Sequence, residues 1–285
     1  MNVPSLSVVM PTHNRAHLVE RACQRLLDDP AVGNLIVIAD GCTDDTLARL
    51  QRFPSDQLTV LCNFPRRGPE VARNMGGRSA SGDWVAFVDD DDEFPPEFFG
   101  ELLRVGVEAD ADLVAAPWFH VPKGQDPQHH ADQARRTANG PTARSSGTFP
   151  AAPWVDSIWI NTNFVVRRCF SDRCEFNERL GGNYWRDETD FGVAVARAGG
   201  RVVVTNATYS YMRVRPGHGG IDRASAIKYE WSVLRNEIKF LRRHGPWLRD
   251  QGYISRRGTF LLRTLWDRLR RLSGGFIGAR IRGNG

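Results

Sequence analysis

The chain has 285 residues, of which 41% are hydrophobic and 25% charged, proportions that are ordinary for a globular protein. This length fits one large domain or two small ones. No stretch approaches the ~18 consecutive apolar residues of a membrane span, and we expect no signal peptide because no basic segment precedes the first apolar run. The five cysteines are scattered without a C-x-x-C pair, which favours reduced thiols in a cytoplasm over a disulfide framework or zinc site.

Positive charge is concentrated near the end of the sequence. The net charge is +5, and the segment from Arg235 onward holds 13 Lys and Arg residues against three acidic ones. The body of the chain that precedes it is therefore acidic overall. Such asymmetry is typical of a tail with its own binding or solvation role.

Strand-like and helix-like segments alternate over the first part of the chain. Apolar, β-branched runs predict strands within 6–15, 34–41, 58–63 and 84–90, with a further strand at 112–118. Helices are predicted at 16–27, within 42–53 with Thr43 as its N-cap, from 68 to the Gly pair at 76–77, and from Pro95 onward. This alternation predicts a mainly parallel α/β sheet with helices on both faces.

The predicted strands end in polar residues. The sequences "PTHNR", "DG" and "DDDD" follow three of them. In parallel sheets ligands bind just beyond the carboxyl ends of the strands. We therefore expect these three segments to contribute to one site.

The run of four aspartates that begins at Asp89 is the most unusual of these segments. Acids before a helix often cap it, and Asp92 suits that role ahead of the next predicted helix. Alternating side chains of an extended segment point the same way, so Asp89 and Asp91 are expected on one side and Asp90 on the other. Converging carboxylates favour Mg²⁺ or Mn²⁺, hard cations that prefer oxygen ligands.

The ordered set of motifs resembles the nucleotide-sugar-binding half of family 2 glycosyltransferases, which have the GT-A fold. It consists of "SVVMPTHNR", "IADGCTDDT" and "GPEVARNMGGRSASGDWVAFVDDDD". The resemblance implies a GT-A-like twisted sheet and a nucleotide-diphosphate-sugar donor. It departs from the family pattern at His13, where an aromatic Tyr is frequent.

The resemblance also implies roles for individual residues. Asp89 would meet the ribose, Asp91 would bind the divalent cation, and Asn74 would lie beside the nucleotide. The full set expected to bind the nucleotide sugar comprises Pro11, Thr12, His13, Asn14, Arg15, Asp40, Arg73, Asp89 and Asp90.

An acidic pair in the second half, Asp187-Glu188, resembles the family's pair at the start of a helix, usually Glu-Asp. Inverting transfer needs a base that takes a proton from the acceptor. The match puts Glu188 at the base position, with Asp187 as the alternative because the order is reversed. The residues alone also permit a purely structural role, since acids in the first turn stabilise a helix.

Other candidates surround this pair. His218 lies in a Gly-rich loop and by resemblance would complete the metal shell, with a solvated side chain as the alternative. Either Arg213 or Arg215 would neutralise diphosphate. Acceptor contact is assigned to Trp159, Asn163 and Trp185, although Trp159 also suits a core position.

Two further segments have two interpretations each. Residues 121–150 are polar and small, which favours a mobile insertion over a functional lid. The basic tail has a stripe of leucines beside Trp266, so it forms either a helix docked on the domain or an interfacial helix on anionic lipid. Nucleic acid is not an expected partner, because no aromatic-basic reading surface accompanies the charge.

Together these features predict a GT-A glycosyltransferase domain at 1–225, with a nucleotide-sugar half at 1–118, a mobile insertion at 119–150 and an acceptor half at 151–225. A helical basic extension follows at 226–285.

The predicted reaction is inverting, metal-dependent sugar transfer to a hydroxyl or amine. The acceptor would be a carbohydrate, a lipid-linked molecule or a natural product, and the reaction would take place in the cytoplasm or at its membrane surface. The alternatives are a sugar-nucleotide-forming nucleotidyltransferase, whose Gly-rich phosphate loop has no counterpart in "MPTHNRAH", and an inactive binding relative.

Overall fold

A computed structural model describes residues 4–136, 149–182, 184, 186–214 and 226–266. The chain divides into two compact units. The first comprises Met1–Glu178 and Glu188–Gly220, and the second comprises Arg179–Asp187 and Ile221–Gly285.

The strands are β1 (Leu6–Thr12), β2 (Val32–Asp40), β3 (Leu58–Asn63), β4 (Trp84–Phe87), β5 (Asp92–Glu93), β6 (Leu113–Ala115), β7 (Trp118–Pro122), β8 (Trp154–Asp156), β9 (Phe164–Arg167), β10 (Val202–Thr205) and β11 (Ser210–Val214). The helices are α1 (Val19–Leu27), α2 (Thr46–Arg52), α3 (Pro69–Ser79), α4 (Phe98–Glu108), α5 (Pro127–Arg136), α6 (Arg168–Ser171), α7 (Asp187–Arg197) and α8 (Ala226–Asp250).

Within the described residues, the first unit has a central sheet of eight strands in the order β3-β2-β1-β4-β9-β6-β10-β8. The pairs β1–β2, β2–β3, β1–β4 and β6–β10 are parallel. β9 lies antiparallel between β4 and β6, and β8 is an antiparallel edge strand. The predicted mainly parallel α/β sheet is confirmed.

The central strands are buried on both faces, which explains their nearly continuous apolar sequence. In β1, Val8 and Met10 pack in the cluster that contains α1 and α4, whereas Val9 packs in the opposite cluster. That second cluster includes Ala72 of α3 and Phe191 of α7. Helices therefore cover both faces, as the period-2 alternation of a strand requires.

A smaller sheet of β5, β11 and β7 stands beside the central one. Part of the predicted insertion at 119–150 contributes to it, because β7 pairs with β11 and α5 packs nearby through Ala131. Phe119 and Phe149 share this small core with Tyr209 and Tyr211. The segment therefore contains regular, packed structure at 118–136, and its predicted mobility stays a prediction.

The second unit contains α8 and a further helical segment at 257–266. The predicted helical character of the C-terminal extension is thus confirmed over the described residues. Across the described part of the chain, no helix combines the length and hydropathy that a transmembrane span requires. The predicted domain boundary at residue 225 stays a prediction.

Candidate active site

The acidic run lies at the carboxyl edge of the central sheet. β4 ends at Phe87, the chain turns at 90–91, and β5 begins at Asp92. Asp89 and Asp91 keep partly exposed side chains, at 35% and 23%, whereas Asp90 and Asp92 are buried. Exposure therefore separates Asp89 and Asp91 from Asp90, and the predicted convergence of Asp89 and Asp91 on one point stays a prediction.

Asp90 is held by the end of β1. Thr12 Oγ1 donates to Asp90 Oδ2 at 2.7 Å, and Arg15 Nε lies 3.5 Å from Asp90 Oδ1. Arg15 also reaches Asp91, with Nη2 at 3.5 Å from Oδ2. Burial and the adjacent charge of Asp91 raise the pKa of Asp90 to about 7. One arginine therefore offsets part of the repulsion between two neighbouring carboxyl groups.

Asp89 faces the other side of the site. Arg73 Nη2 of α3 donates to Asp89 Oδ1 at 2.6 Å, and Thr162 Oγ1 donates to Oδ2 at 3.1 Å. The same Arg73 nitrogen lies 3.8 Å from Glu188 Oε1. The guanidinium is buried and stacks 5.3 Å from the ring centroid of Phe176. Arg73 thus joins the predicted ribose-binding acid to the predicted base.

Asp92 does not cap a helix, contrary to the sequence-based prediction. It is in β5, where its carboxyl oxygens accept hydrogen bonds from Trp118 Nε1 at 2.9 Å and Asn163 Nδ2 at 2.6 Å. Burial, with the charges of Asp89 and Asp91, raises the pKa of Asp92 well above its usual value. The pairing of β5 with β11 turns this side chain inward, which no local signal indicates.

Glu93 is neutralised by two arginines. Arg25 Nη1 lies 3.6 Å from one carboxylate oxygen, and Arg213 Nε lies 3.1 Å from the other. Arg25 and Arg213 also line a pocket that includes Asp91 and Met212. Arg213, predicted as a diphosphate partner, is therefore engaged with Glu93 in this structure.

The first loop is fixed to its neighbour rather than left open. Asn14, at φ 52°, accepts hydrogen bonds from the Thr43 and Asp44 backbone N–H groups at 2.8 and 3.4 Å. His13 Nδ1 lies 2.8 Å from the Asp40 carbonyl oxygen, and Pro11 is buried within β1. Thr43 is not the N-cap of α2, because the helix begins at Thr46 with Asp45 at the N-cap position. The Asp44 carboxylate accepts the Thr46 N–H at 3.0 Å.

Asp40 organises the loop that follows β3. Its buried carboxylate accepts the backbone N–H groups of Arg67 and Gly68, each at 2.8 Å, and Asn63 Nδ2 at 3.2 Å. Gly41 leaves no space for a side chain, since a Cβ there would lie 2.4 Å from the Arg66 nitrogen. The predicted contact of Asp40 with a nucleoside stays a prediction, and its observed contacts shape the edge of the site.

Asn74 performs a similar task on α3. Its side chain accepts the Phe176 N–H at 2.8 Å and donates to the Phe176 carbonyl at 3.0 Å. It also donates to Glu178 Oε1 at 3.1 Å. These bonds fix the segment that places Phe176 under Arg73.

The two candidate bases differ in accessibility. α7 begins with Asp187 and Glu188; Asp187 is 4% exposed, whereas the Glu188 side chain is 20% exposed. Glu188 therefore has the better access to a reacting group. The assignment of the base stays a prediction.

The residues predicted to contact the acceptor differ in burial, and one of them lies outside the described residues. Trp159 is partly buried, and Asn163 is fully buried, at φ 63°, with Nδ2 bonded to Asp92 and Ser210. This environment makes Asn163 a support for the acidic segment, and its predicted contact with an acceptor stays a prediction. Trp185 and His218 lie outside the described residues.

The described residues contain no group of three His, Cys, Asp or Glu side chains arranged to hold a metal ion. The donor chemistry nevertheless fits a hard cation, because two partly exposed carboxylates, Asp89 and Asp91, stand at the sheet edge. Mg²⁺ is commonly bound by one or two carboxylates together with substrate phosphates. The remaining ligands would therefore come with the donor.

Several contacts that support the acidic run were not predicted from the sequence. Thr162, Trp118 and Arg25 all contact the acidic run, at sequence separations of 73, 26 and 67 residues from their partners. No local pattern marks such contacts, since they depend on the order of strands in the two sheets.

The chain is similar in sequence and in fold to known glycosyltransferases. The sequence model described as "Glycosyl transferase family 2" matches residues 7–170, more than half of the chain. An uncharacterised glycosyltransferase of Escherichia coli, YibD, is 29% identical over 170 residues, which cover 57% of this chain and 48% of the relative. A Campylobacter jejuni protein named GalNAc(5)-diNAcBac-PP-undecaprenol beta-1,3-glucosyltransferase is 36% identical over 115 residues, which cover 39% and 37% of the two chains.

The matches to these curated relatives thus span less than half of their own length. Among solved structures, a mannosyltransferase from Pyrobaculum calidifontis in complex with GDP-Man and Mn²⁺ aligns with a TM-score of 0.62 at 19% identity. The alignment covers 95% of this chain and 75% of that one. The likeness confirms the predicted GT-A-like fold.

Proposed function

We propose that this chain, which belongs to glycosyl transferase family 2, is a hexosyltransferase that uses a nucleotide-diphosphate-sugar donor. The observation that carries the proposal is the position of Arg73, 2.6 Å from Asp89 and 3.8 Å from Glu188. Arg73 contacts both Asp89, which would meet the donor, and Glu188, which would meet the acceptor.

The donor would bind across the carboxyl ends of β1, β2 and β4. Asp91 would bind a divalent cation, Mn²⁺ or Mg²⁺, which would stabilise the charge that develops on the leaving diphosphate. Asp89 would meet the ribose of the donor. Asp90 would support this arrangement from below through Thr12 and Arg15. Because Asp90 and Asp92 are buried, the partly exposed carboxylates of Asp89 and Asp91 are the ones that would meet the ligand.

Glu188 would act as the general base. It would take the proton of the acceptor hydroxyl or amine while the new glycosidic bond forms and the bond to the diphosphate breaks. Attack from the face opposite the leaving group inverts the anomeric carbon. Arg73 would lie beside this carboxylate, since its Nη2 is 3.8 Å from Glu188 Oε1.

We also propose a lipid-linked acceptor and a peripheral membrane contact. The Campylobacter jejuni relative carries an undecaprenol-linked acceptor in its name. In this chain, Leu262 and Trp266 are 67% and 60% exposed on the helix at 257–266, beside the exposed Arg263. Apolar and basic groups on one exposed helix suit an anionic lipid surface. No disulfide joins the five cysteines, all of which lie among the described residues, and this suits a reducing compartment such as the cytoplasm.

The proposal is tested by donor hydrolysis with water as the acceptor. UDP-glucose and GDP-mannose are incubated with the full chain and Mn²⁺, and release of UDP or GDP is measured. We expect Asp91→Ala to abolish metal-dependent release, while Asp172→Ala, at an exposed ion pair with Arg168, leaves it unchanged. Full metal-dependent activity in Asp91→Ala would overturn the metal assignment.

A second variant tests the base. We expect Glu188→Gln to bind UDP or GDP with the wild-type affinity and to lose turnover at least 100-fold, because general base catalysis contributes roughly 10²–10⁴-fold. Unchanged turnover in this variant would move the base to Asp187 or elsewhere. A wild-type chain that binds nucleotide diphosphates yet hydrolyses neither donor would favour the inactive-relative alternative.

A further inference from the structure

The segment that leads into α7 is held by one face of α8. Ser232 Oγ and Asn236 Nδ2 donate to the Gly181 carbonyl oxygen at 3.0 and 2.9 Å. One helical turn later, Lys239 Nζ donates to the Arg179 carbonyl oxygen. Residues spaced three or four apart lie on the same side of a helix, so these contacts form one continuous row.

A different side of α8 makes an ion pair with Arg186, the residue before Asp187. Arg186 Nε lies 3.0 Å from Glu237 Oε2, and Arg186 Nη2 lies 3.3 Å from Oε1, which is a two-pronged contact. Glu237 is fully buried, and the Arg186 side chain is 17% exposed. The guanidinium also stacks on Phe240 and Phe260, with centroid distances of 5.5 and 5.7 Å.

The backbone of this segment is strained. Arg186 has φ 79° and Tyr184 has φ 53°, values that L-residues rarely adopt. Gly182 has φ 76°, and a Cβ there would lie 2.2 Å from Ser232 Oγ. Such conformations persist only where the surroundings fix them, and they cluster at functional sites.

A stabilising role alone explains these features poorly. Replacing a buried ion pair by apolar side chains is often neutral or stabilising, because removing two charges from water is costly. The chain here combines such a pair with two non-glycine residues at positive φ. The ion pair and the positive φ angles together fix the backbone conformation of Tyr184 and Arg186, which precede Asp187 and Glu188.

We propose that Glu237 and Arg186 form a positioning pair that fixes the start of α7 and thereby the direction of the Glu188 carboxylate. The inference rests on the proposed function, since it treats Glu188 as the base. Neither residue of the pair needs to touch the substrate. Both residues of the pair lie outside the matched family segment at 7–170.

The test compares Glu237→Gln with Asp250→Asn, a matched control in an exposed ion pair on the same helix. Hydrolysis of UDP-glucose or GDP-mannose with Mn²⁺ gives kcat and KM, and hydrogen exchange followed by mass spectrometry reports on residues 179–187. We expect Glu237→Gln to lower kcat 10- to 100-fold, to leave KM within twofold and to accelerate exchange in 179–187. Asp250→Asn should change none of these quantities.

A second variant protects the test against misfolding. Arg186→Lys keeps the positive charge but cannot make the two-pronged contact, so it should lower kcat with unchanged KM. Glu237→Asp, which keeps the charge, should recover part of the activity that Glu237→Gln loses. Wild-type kcat in both Glu237→Gln and Arg186→Lys would overturn the proposal, as would a parallel loss of kcat and donor affinity.

Failure of the proposed function gives a different pattern. A wild-type chain without turnover would refute that function, yet exchange in 179–187 would still respond to Glu237→Gln if the pair fixes this segment. Unchanged exchange in this variant would refute the positioning role whatever the activity.

Discussion

The Nη2 atom of Arg73 donates a hydrogen bond of 2.6 Å to Oδ1 of Asp89, and Arg73 is almost completely buried while Asp89 is not. The cation is therefore fixed in the protein, and the carboxylate is the partner that can still meet a ligand. Glu188 lies 3.8 Å from the same nitrogen, so removing Arg73 affects two acids together.

We expect Arg73→Ala to lower the free energy of unfolding by about 2–4 kcal/mol, because it leaves two partly buried carboxylates without their cation. The matched control is Arg78→Ala on the same helix, whose ion pair with Glu175 is more than half exposed. That change should cost less than about 1 kcal/mol. Urea unfolding followed by circular dichroism measures both. Equal losses in the two variants would contradict the assigned role of Arg73.

Asn163 offers a second stability test, because its side chain and backbone make separable contributions. Nδ2 donates to Asp92 and Ser210, and the residue has φ 63°. Asn163→Ala loses both bonds and keeps an unfavourable φ, whereas Asn163→Gly loses the bonds and relaxes the backbone. We expect the alanine variant to be less stable than the glycine variant by about 1 kcal/mol. The reverse order in urea unfolding would show that backbone strain is absent.

The edge of the site was largely predictable from the sequence. Polar residues after β1, β2 and β4 had to meet, because parallel strands present their carboxyl ends at one edge. The positive partners of the acidic run were not predictable. Arg73 and Arg213 approach their acids from 16 and 120 residues away, and only the strand order brings them there.

Two local predictions were wrong for a related reason. Asp92 was expected to cap a helix, but pairing of β5 with β11 buries it against Trp118. Thr43 was expected to cap α2, but the helix begins at Thr46 with Asp45 at its N-cap position, and the Thr43 hydroxyl accepts a hydrogen bond from Asn14 of another loop. Local capping preferences are small, and tertiary contacts override them.

The insertion shows the same limit. Its own sequence has few apolar anchors, and the partners that order β7 are Tyr209 and Tyr211, which follow much later in the chain. Sequence reasoning that examines one segment at a time cannot supply them.

We expect Gly41→Ala to be strongly destabilising, by roughly 2 kcal/mol or more, since an added Cβ would meet the Arg66 backbone at 2.4 Å and φ is 63°. The control is Gly100→Ala in α4, where no heavy atom lies within 4 Å of the added Cβ. That substitution should stabilise the protein by about 0.5–1 kcal/mol through helix propensity. Thermal unfolding measures both changes, and Gly41→Ala should lower the melting temperature whereas Gly100→Ala should raise it. An unchanged melting temperature in Gly41→Ala would show that the loop after β3 moves freely.

Thiol reactivity should follow burial. Cys62 and Cys169 are exposed, whereas Cys23 and Cys174 are buried. Burial raises the pKa of Cys23 to about 12, so its reactive thiolate is scarce at any moderately alkaline pH. We expect Ellman's reagent at pH 8 to label Cys62 and Cys169 within minutes and Cys42, whose pKa is also raised by burial, more slowly. All five thiols should react in guanidinium chloride, and rapid native labelling of Cys23 would contradict the packing of α1.

The proposed membrane contact predicts a specific loss on mutation. Transferring an exposed Leu or Trp side chain into the apolar boundary of a bilayer contributes about 1.5–3 kcal/mol each. We therefore expect Leu262→Asp and Trp266→Ala each to weaken binding to vesicles of anionic phosphatidylglycerol at least tenfold in a sedimentation assay.

The matched control for this experiment is Val107→Asp, which introduces the same charge at a 58% exposed apolar side chain on α4. Vesicle binding should be unchanged in this variant if the contact is made by the helix at 257–266. Because basic residues such as Arg263 contribute about 1 kcal/mol each near an anionic surface, binding should also weaken in neutral phosphatidylcholine and in high salt. Equal binding of the wild type, Leu262→Asp and Trp266→Ala would show that the exposed apolar side chains serve another purpose.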